Sequence, residues 1–163
     1  LSCKRLNLNI RKVTVFFSFF IFILSGQTSL NQISNKISNN ALVIYETDKK
    51  EAISLSRQAL VADPSNAYAW AVAGNILRKN KKFDEAESFF QKSLELNPLL
   101  KEGLYWGAKN NISLNNIDEA NQKLEILINI CSECNESVML KLSLDDKKEK
   151  ISGNIPKKES LDE

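Results

Sequence analysis

Histidine is absent from the 163 residues, and glycine, proline and cysteine are scarce, at 5, 3 and 3. Without His the chain lacks the commonest general base and metal ligand, and with it any Ser-His or Cys-His nucleophile pair. Five glycines leave no phosphate-cradling loop, and neither a GxxxxGK[ST] nor a GxGxxG string occurs. Paired acids such as Asp84-Glu85 and Asp118-Glu119 fall at expected helix starts, where capping accounts for them, and no convergent acid/base set is visible. An enzyme is therefore not expected, and no cofactor or metal is implied. Low Gly and Pro with frequent Leu, Ala, Glu and Lys point instead to an all-α chain.

Charge of one sign is also missing. The chain has 22 Lys+Arg against 20 Asp+Glu. Lys4, Arg5, Arg11 and Lys12 are the only charges in residues 1–27, and removing these four leaves 18 basic and 20 acidic residues, a net of −2. A near-neutral body of mixed sign lacks the clustered basic surface that nucleic-acid binding needs.

The one long apolar run lies at 13–24 (Val-Thr-Val-Phe-Phe-Ser-Phe-Phe-Ile-Phe-Ile-Leu) and holds five of the eight Phe. A basic flank, a short apolar run and the small residues Ser25 and Gly26 fit a secretory signal over residues 1–27. As a helix the run would reach about 18 Å, short of a hydrocarbon core of roughly 30 Å. It has no A-x-A-like cleavage site, so an uncleaved anchor is the alternative. Either way the basic flank stays in the cytoplasm and the rest is exported across, or anchored to, the membrane, in a bacterial periplasm or a lumen.

Self-comparison gives the strongest pattern. Glu51-Ala52, Glu85-Ala86 and Glu119-Ala120 recur every 34 residues, as do Leu60, Leu94 and Ile128. Pro64 and Pro98 keep the same spacing, and so do Trp70 with Leu104 and Gly74 with Ala108. A 34-residue period with two helical stretches per unit is a helix–turn–helix solenoid, in which each unit leaves an apolar face for its neighbour. Three units follow: 33–66, 67–100 and 101–134.

The middle unit reads Trp70-x2-Ala73-Gly74-x2-Leu77, then Ala86-x3-Phe90, then Pro98. This resembles the tetratricopeptide repeat. The resemblance implies a right-handed α-solenoid of about three antiparallel helix pairs, with Trp70, Gly74, Leu77, Ala86, Phe90 and Ala120 as repeat core. Small Gly74 is expected opposite small Ala86, with Asp84 as N-cap of the second helix. In the first unit Ile33, Ile37, Ala41, Leu42 and Ile44 supply the first apolar face, and Ala52, Leu55, Ala59 and Leu60 the second. In the third, Gly107-Ala108 is the small pair and Leu124, Leu127 and Ile128 the core. The resemblance further implies a concave groove lined by Tyr68, Ala71, Asn75, Arg78 and Lys79, then Glu102, Tyr105, Lys109 and Ile112. For Arg78 and Lys79 the alternative is a solvated helix end favoured by the macrodipole. Some members of that family hold a partner's C-terminal carboxylate with Lys, Asn and Arg residues. Asn75 matches one such position, but the partnering positions hold Ile37, Ala41, Glu102 and Trp106, so that clamp is incomplete.

Asn135 is expected to cap a further helix over 135–150, whose Val138, Met139 and Leu142 would cover the open end of the third unit. From Asp145 onward 11 of 19 residues are charged, and 151–163 reads as a disordered tail. Cys131 and Cys134 form a CxxC pair. Zinc needs four ligands, and neither a second Cys pair nor a His exists. A thioredoxin-like site belongs at a strand-to-helix junction, which an all-helical pattern lacks. The pair instead falls where the repeat would place Asn97-Pro98, so a structural disulfide holding the turn is expected, with thiol-redox chemistry as the alternative. The expected function is a non-enzymatic module docking another protein or peptide and, by fold-level analogy, assisting assembly of an envelope or membrane complex.

Overall fold

The computed structural model describes residues 30–153, which form seven helices. They are α1 (30–44), α2 (Lys49–Ala62), α3 (Ala67–Lys79), α4 (Phe83–Leu96), α5 (Lys101–Leu114), α6 (Ile117–Ile130) and α7 (Asn135–Gly153). The apolar run at 13–24 lies outside the described residues, and so does the tail beyond 153. Among the described residues no helix is long and apolar enough to cross a membrane.

The 34-residue period is written into the backbone. Ala52, Ala86 and Ala120 are each fully buried. Asp63, Asn97 and Cys131 each end a second helix in the extended conformation, with φ of −149°, −146° and −153°. Each returns its N–H to the carbonyl four residues back, on Ala59, Ser93 and Leu127. Pro64 and Pro98 enforce this exit on the residue before them. The third unit has Ser132 there, and the same exit is closed by a Cys131–Cys134 disulfide with Cα atoms 5.5 Å apart.

Second helices bury one stripe at i, i+4 and i+7: Ala52, Ser56 and Ala59 in α2, Ala86, Phe90 and Ser93 in α4, Ala120, Leu124 and Leu127 in α6. Phe90, fully buried, is the largest of them. A Cβ added to Gly74 would stand 3.0 Å from the Phe90 ring and 3.2 Å from the Phe89 Cβ. Gly74 thus makes room for an aromatic ring, rather than meeting Ala86 as small against small. Trp70 is half-buried: its ring lies 5.3 Å from that of Phe89 and its Nε1–H donates to the Pro64 carbonyl. Leu77 is likewise half-buried.

Several expected positions shift. The cap of α4 is Lys82, and Asp84 sits inside the first turn with Glu85, where the dipole favours both. Ile128 is exposed, because the 3.6-residue period of α6 turns the position after Leu127 outward. In α1 the buried positions are Ser34, Ser38 and Ala41, followed by Tyr45 just past its end, so Ile33 faces water. Polar bonds tie this helix down. Ser34 donates to the Ala59 carbonyl, Asn66 Nδ2 donates to Ser34 and Asn35, and Tyr68 Oη donates to Asn39 at 2.7 Å.

α7 departs in the same way. It starts at Asn135 itself, after a turn in which the Cys134 carbonyl accepts from Val138 N. Its inward positions are Ser137, Leu140 and Leu144, while Val138, Met139 and Leu142 point outward. It also continues through Ile151 to Gly153, helped by the Lys150–Asp146 pair one turn apart.

Candidate functional site

First helices pack against one another along the row: α3 touches α5, and α5 touches α7. Second helices stand further apart: the backbone of α4 approaches neither that of α2 nor that of α6. One layer is therefore closed up and the other fanned out, which curves the stack with its concave side on the first helices.

Two chemically different ends appear on that side. Towards the starts of α3 and α5 lies an open cavity of about 590 Å³ lined by Asn31, Asn35, Asn39, Tyr68, Asn97 and Glu102, among others. It is an amide-rich surface. Tyr68 is half-buried there, and burial first, then the Glu102 carboxylate, push its phenol above the ordinary value of 10.0.

Towards the ends of α1 and α3 the chemistry is cationic and aromatic. Lys79 Nζ lies 4.4 Å from the centre of the Tyr45 ring and is paired with Glu46 at 2.5 Å. That pairing holds the exposed Glu46 carboxyl below its ordinary value. Lys109 Nζ lies 5.3 Å from the Tyr105 ring. Arg78 is the outlier. It is half-buried, and its Nε and Nη2 both donate to one acceptor, Asn75 Oδ1, at 3.2 and 2.8 Å. Among the described residues no carboxylate pairs with it. Burial holds its guanidinium below its ordinary value, opposed by the nearby Tyr105 and Tyr45. A desolvated cation bonded only to a neutral amide costs free energy that a carboxylate or phosphate would recover.

The expected groove residues thus separate. Arg78, Lys79, Tyr105 and Lys109 mark the cationic end, and Tyr68 marks the amide end. Asn75 and Ala71 are buried. Asn75 Oδ1 accepts from Arg78 and so positions its guanidinium. Tyr45 was missing from the sequence-based list, although it stands 34 residues before Lys79 and the period alone would have supplied it. Glu87 was also missed. It sits under the site between α4, α5 and α6, accepting from Asn110 and Asn111 at 2.9 Å each, with Lys123 3.9 Å away.

Comparison with known proteins gives a consistent fold. The tetratricopeptide repeat model matches residues 67–98, which include α3 and α4. The first TPR of Spaghetti (RPAP3) bound to the HSP90 peptide SRMEEVD superposes with a TM-score of 0.61 at 19% identity, covering 78% of this chain and 94% of that one. The first TPR domain of human RPAP3 gives 0.62 at 18% identity, covering 73% and 98%. The second TPR of Spaghetti with the same peptide gives 0.56 at 20%, covering 64% and 96%. No curated protein sequence matches the chain. The fold is therefore a TPR-like helical repeat.

Proposed function

We propose that this helical repeat is a non-enzymatic adaptor that holds a peptide of another protein on its concave side, with Arg78 receiving an acidic group. The observation that carries the reading is the half-buried Arg78 guanidinium, positioned by Asn75, flanked by Tyr45 and Tyr105 and matched to no carboxylate among the described residues. Tyr68 and Arg78 lie ten positions apart on α3, about 15 Å of helix. That distance accommodates four to five residues of extended chain, at roughly 3.3 Å each. The amide end offers hydrogen bonds to the peptide backbone. The Spaghetti neighbours carry the peptide SRMEEVD, which is acidic, so acidic peptides are the natural probes.

Isothermal titration with a panel of acidic heptapeptides, SRMEEVD among them, tests this against the same peptides with Glu changed to Gln, Asp changed to Asn and an amidated C-terminus. At least one acidic member should bind, and Arg78→Gln should weaken it by tenfold or more, the loss of about 1.4 kcal/mol expected for one charge-assisted contact. Equal affinity for the acidic and neutral sets would overturn the reading.

The module works outside the cytoplasm or tethered to its membrane, assisting assembly of an envelope or membrane complex. Support comes from the basic flank and apolar run of residues 1–27 and from the Cys131–Cys134 disulfide, which suits an oxidising compartment. By closing the turn that a proline closes in the first two units, the disulfide has a structural part that needs no redox cycle. Intact-mass measurement after thiol alkylation, on the full chain made with its N-terminal segment, reads both features. A membrane or exported fraction with both cysteines blocked from alkylation is expected, and a cytosolic chain with both alkylated would contradict it.

A further inference from the structure

The concave side is bipolar. Glu102 is half-buried, and among the described residues lining the amide-rich cavity it is the only charged one. None of the ion pairs among the described residues includes it. Its neighbour Lys101 is exposed, and Lys109 lies two turns along α5, about 10 Å of helix away, against the Tyr105 ring. The Glu102 charge is felt inside the cavity, where, second to burial, it raises the Tyr68 phenol. All five lining amides have their oxygens engaged within the fold. Asn31 accepts from Asn35, Asn35 from Asn66, and Asn39 from Tyr68. Asn66 caps the start of α3, and Asn97 accepts from Leu99 N. The Glu102 carboxylate is therefore the strong acceptor that a ligand meets there.

We propose that Glu102 receives a Lys or Arg side chain of the same peptide whose acidic group reaches Arg78, so that the groove selects a segment carrying one charge of each sign. The proposal rests on Arg78 receiving that acid. Glu102 stands one repeat, 34 residues, after Tyr68, and so at the same level on the neighbouring first helix. Arg78 lies ten positions further along α3, about 15 Å of helix. With first helices packed about 8–10 Å apart, the two residues occupy diagonal corners of the groove, their backbones roughly 17 Å from each other. At about 3.3 Å per residue of extended chain, about five residue steps join the corners. A small hard cation suits Glu102 less, since it needs about six oxygen ligands and the amide oxygens are committed. A basic side chain needs only the one carboxylate, and such a pair is stronger than a neutral hydrogen bond.

Isothermal titration on the full chain tests the proposal with N-acetylated heptapeptides that carry two adjacent Glu at one end and a Lys about five positions away, in both orders. Each is paired with a peptide in which that Lys is Gln, so the termini are common to the pair and drop out of the ratio. The wild type should bind the Lys member of at least one pair about fivefold tighter than its Gln member, as expected for a half-buried ion pair. Glu102→Gln should bring that ratio to about one, and Glu102→Lys should invert it. A thermal melt checks that both variants fold, and if Glu102→Lys does not, the ratio in Glu102→Gln decides. A wild-type ratio of one, or a preference for Lys that survives Glu102→Gln, would overturn the proposal. If binding still needs the Glu pair and still weakens in Arg78→Gln while the Lys ratio is one, this inference falls and the acidic contact stands. Binding that ignores the Glu pair, or no binding by any member, removes both.

Discussion

Phe90→Ala should lower the free energy of unfolding by about 3–5 kcal/mol, the range for removing a buried aromatic ring. For a folded region of this size that is a fall in Tm of roughly 10–20 °C. Phe90 is fully exposed to none of the solvent and is wrapped from two sides. Gly74 on α3 approaches its ring, and a Cβ on Gly107 of α5 would stand 3.4 Å from its own Cβ. The side chain therefore belongs to two hairpins at once, and truncation opens a cavity at the joint between them. Phe90→Leu keeps most of the volume and should lose clearly less. Urea unfolding followed by circular dichroism separates the two. An alanine variant within about 1 kcal/mol of wild type would mean that the second and third units do not depend on this ring.

Glu87→Ala should cost about 2–4 kcal/mol, for an electrostatic reason. Glu87 and Lys123 side chains are only 19% and 16% exposed. Glu87 Oε2 accepts from both Asn110 and Asn111, and Lys123 Nζ donates to Asn111 Oδ1 at 2.7 Å. Removing the carboxylate strips an acceptor from two buried amides and leaves the Lys123 ammonium with a neutral partner. Glu87→Gln retains acceptor capacity while losing the charge, so its loss should be about half as large. A double-mutant cycle with Lys123→Ala should return a coupling of about 1–3 kcal/mol. Additive single effects would show that the network's members act separately. The reading of Arg78 draws on the same physics, since Glu87 gives Lys123 a carboxylate within the fold and Arg78 has none among the described residues.

Residue patterns carried the architecture further than the site. The spacing of Ala52, Ala86 and Ala120 placed three equivalent helix contacts, because a small residue at the same point of each hairpin is a requirement of close approach. Prolines at 64 and 98 marked the exits for the same kind of reason, a local steric rule. The faces of α1 and α7 were read only in part: Ala41 is in the core with Leu42 and Ile44 packed against it, while Ile33, Val138, Met139 and Leu142 face water. Apolar residues there crowd several sides of the helix, so periodicity does not select a face, and Ser34 and Ser137 are buried through hydrogen bonds that hydropathy does not register. Arg78 and Tyr105 were expected in the groove from the repeat. The Asn75–Arg78 contact is an i, i+3 pair on α3, which chain spacing permits, whereas the anchoring of Lys123 by Glu87 depends on the distance between separate helices, which no spacing along the chain encodes.

The central claim is that the concave side recognises an acidic group through Arg78. The most direct measurement follows the Arg78 side-chain Nε–H resonance by nuclear magnetic resonance while an acidic heptapeptide that binds is titrated in. A saturable shift of that resonance is expected at the same concentrations that move Tyr45 and Tyr105, and no shift with the amidated peptide whose Glu and Asp are changed to Gln and Asn. Binding that saturates while the Arg78 resonance stays still would contradict it.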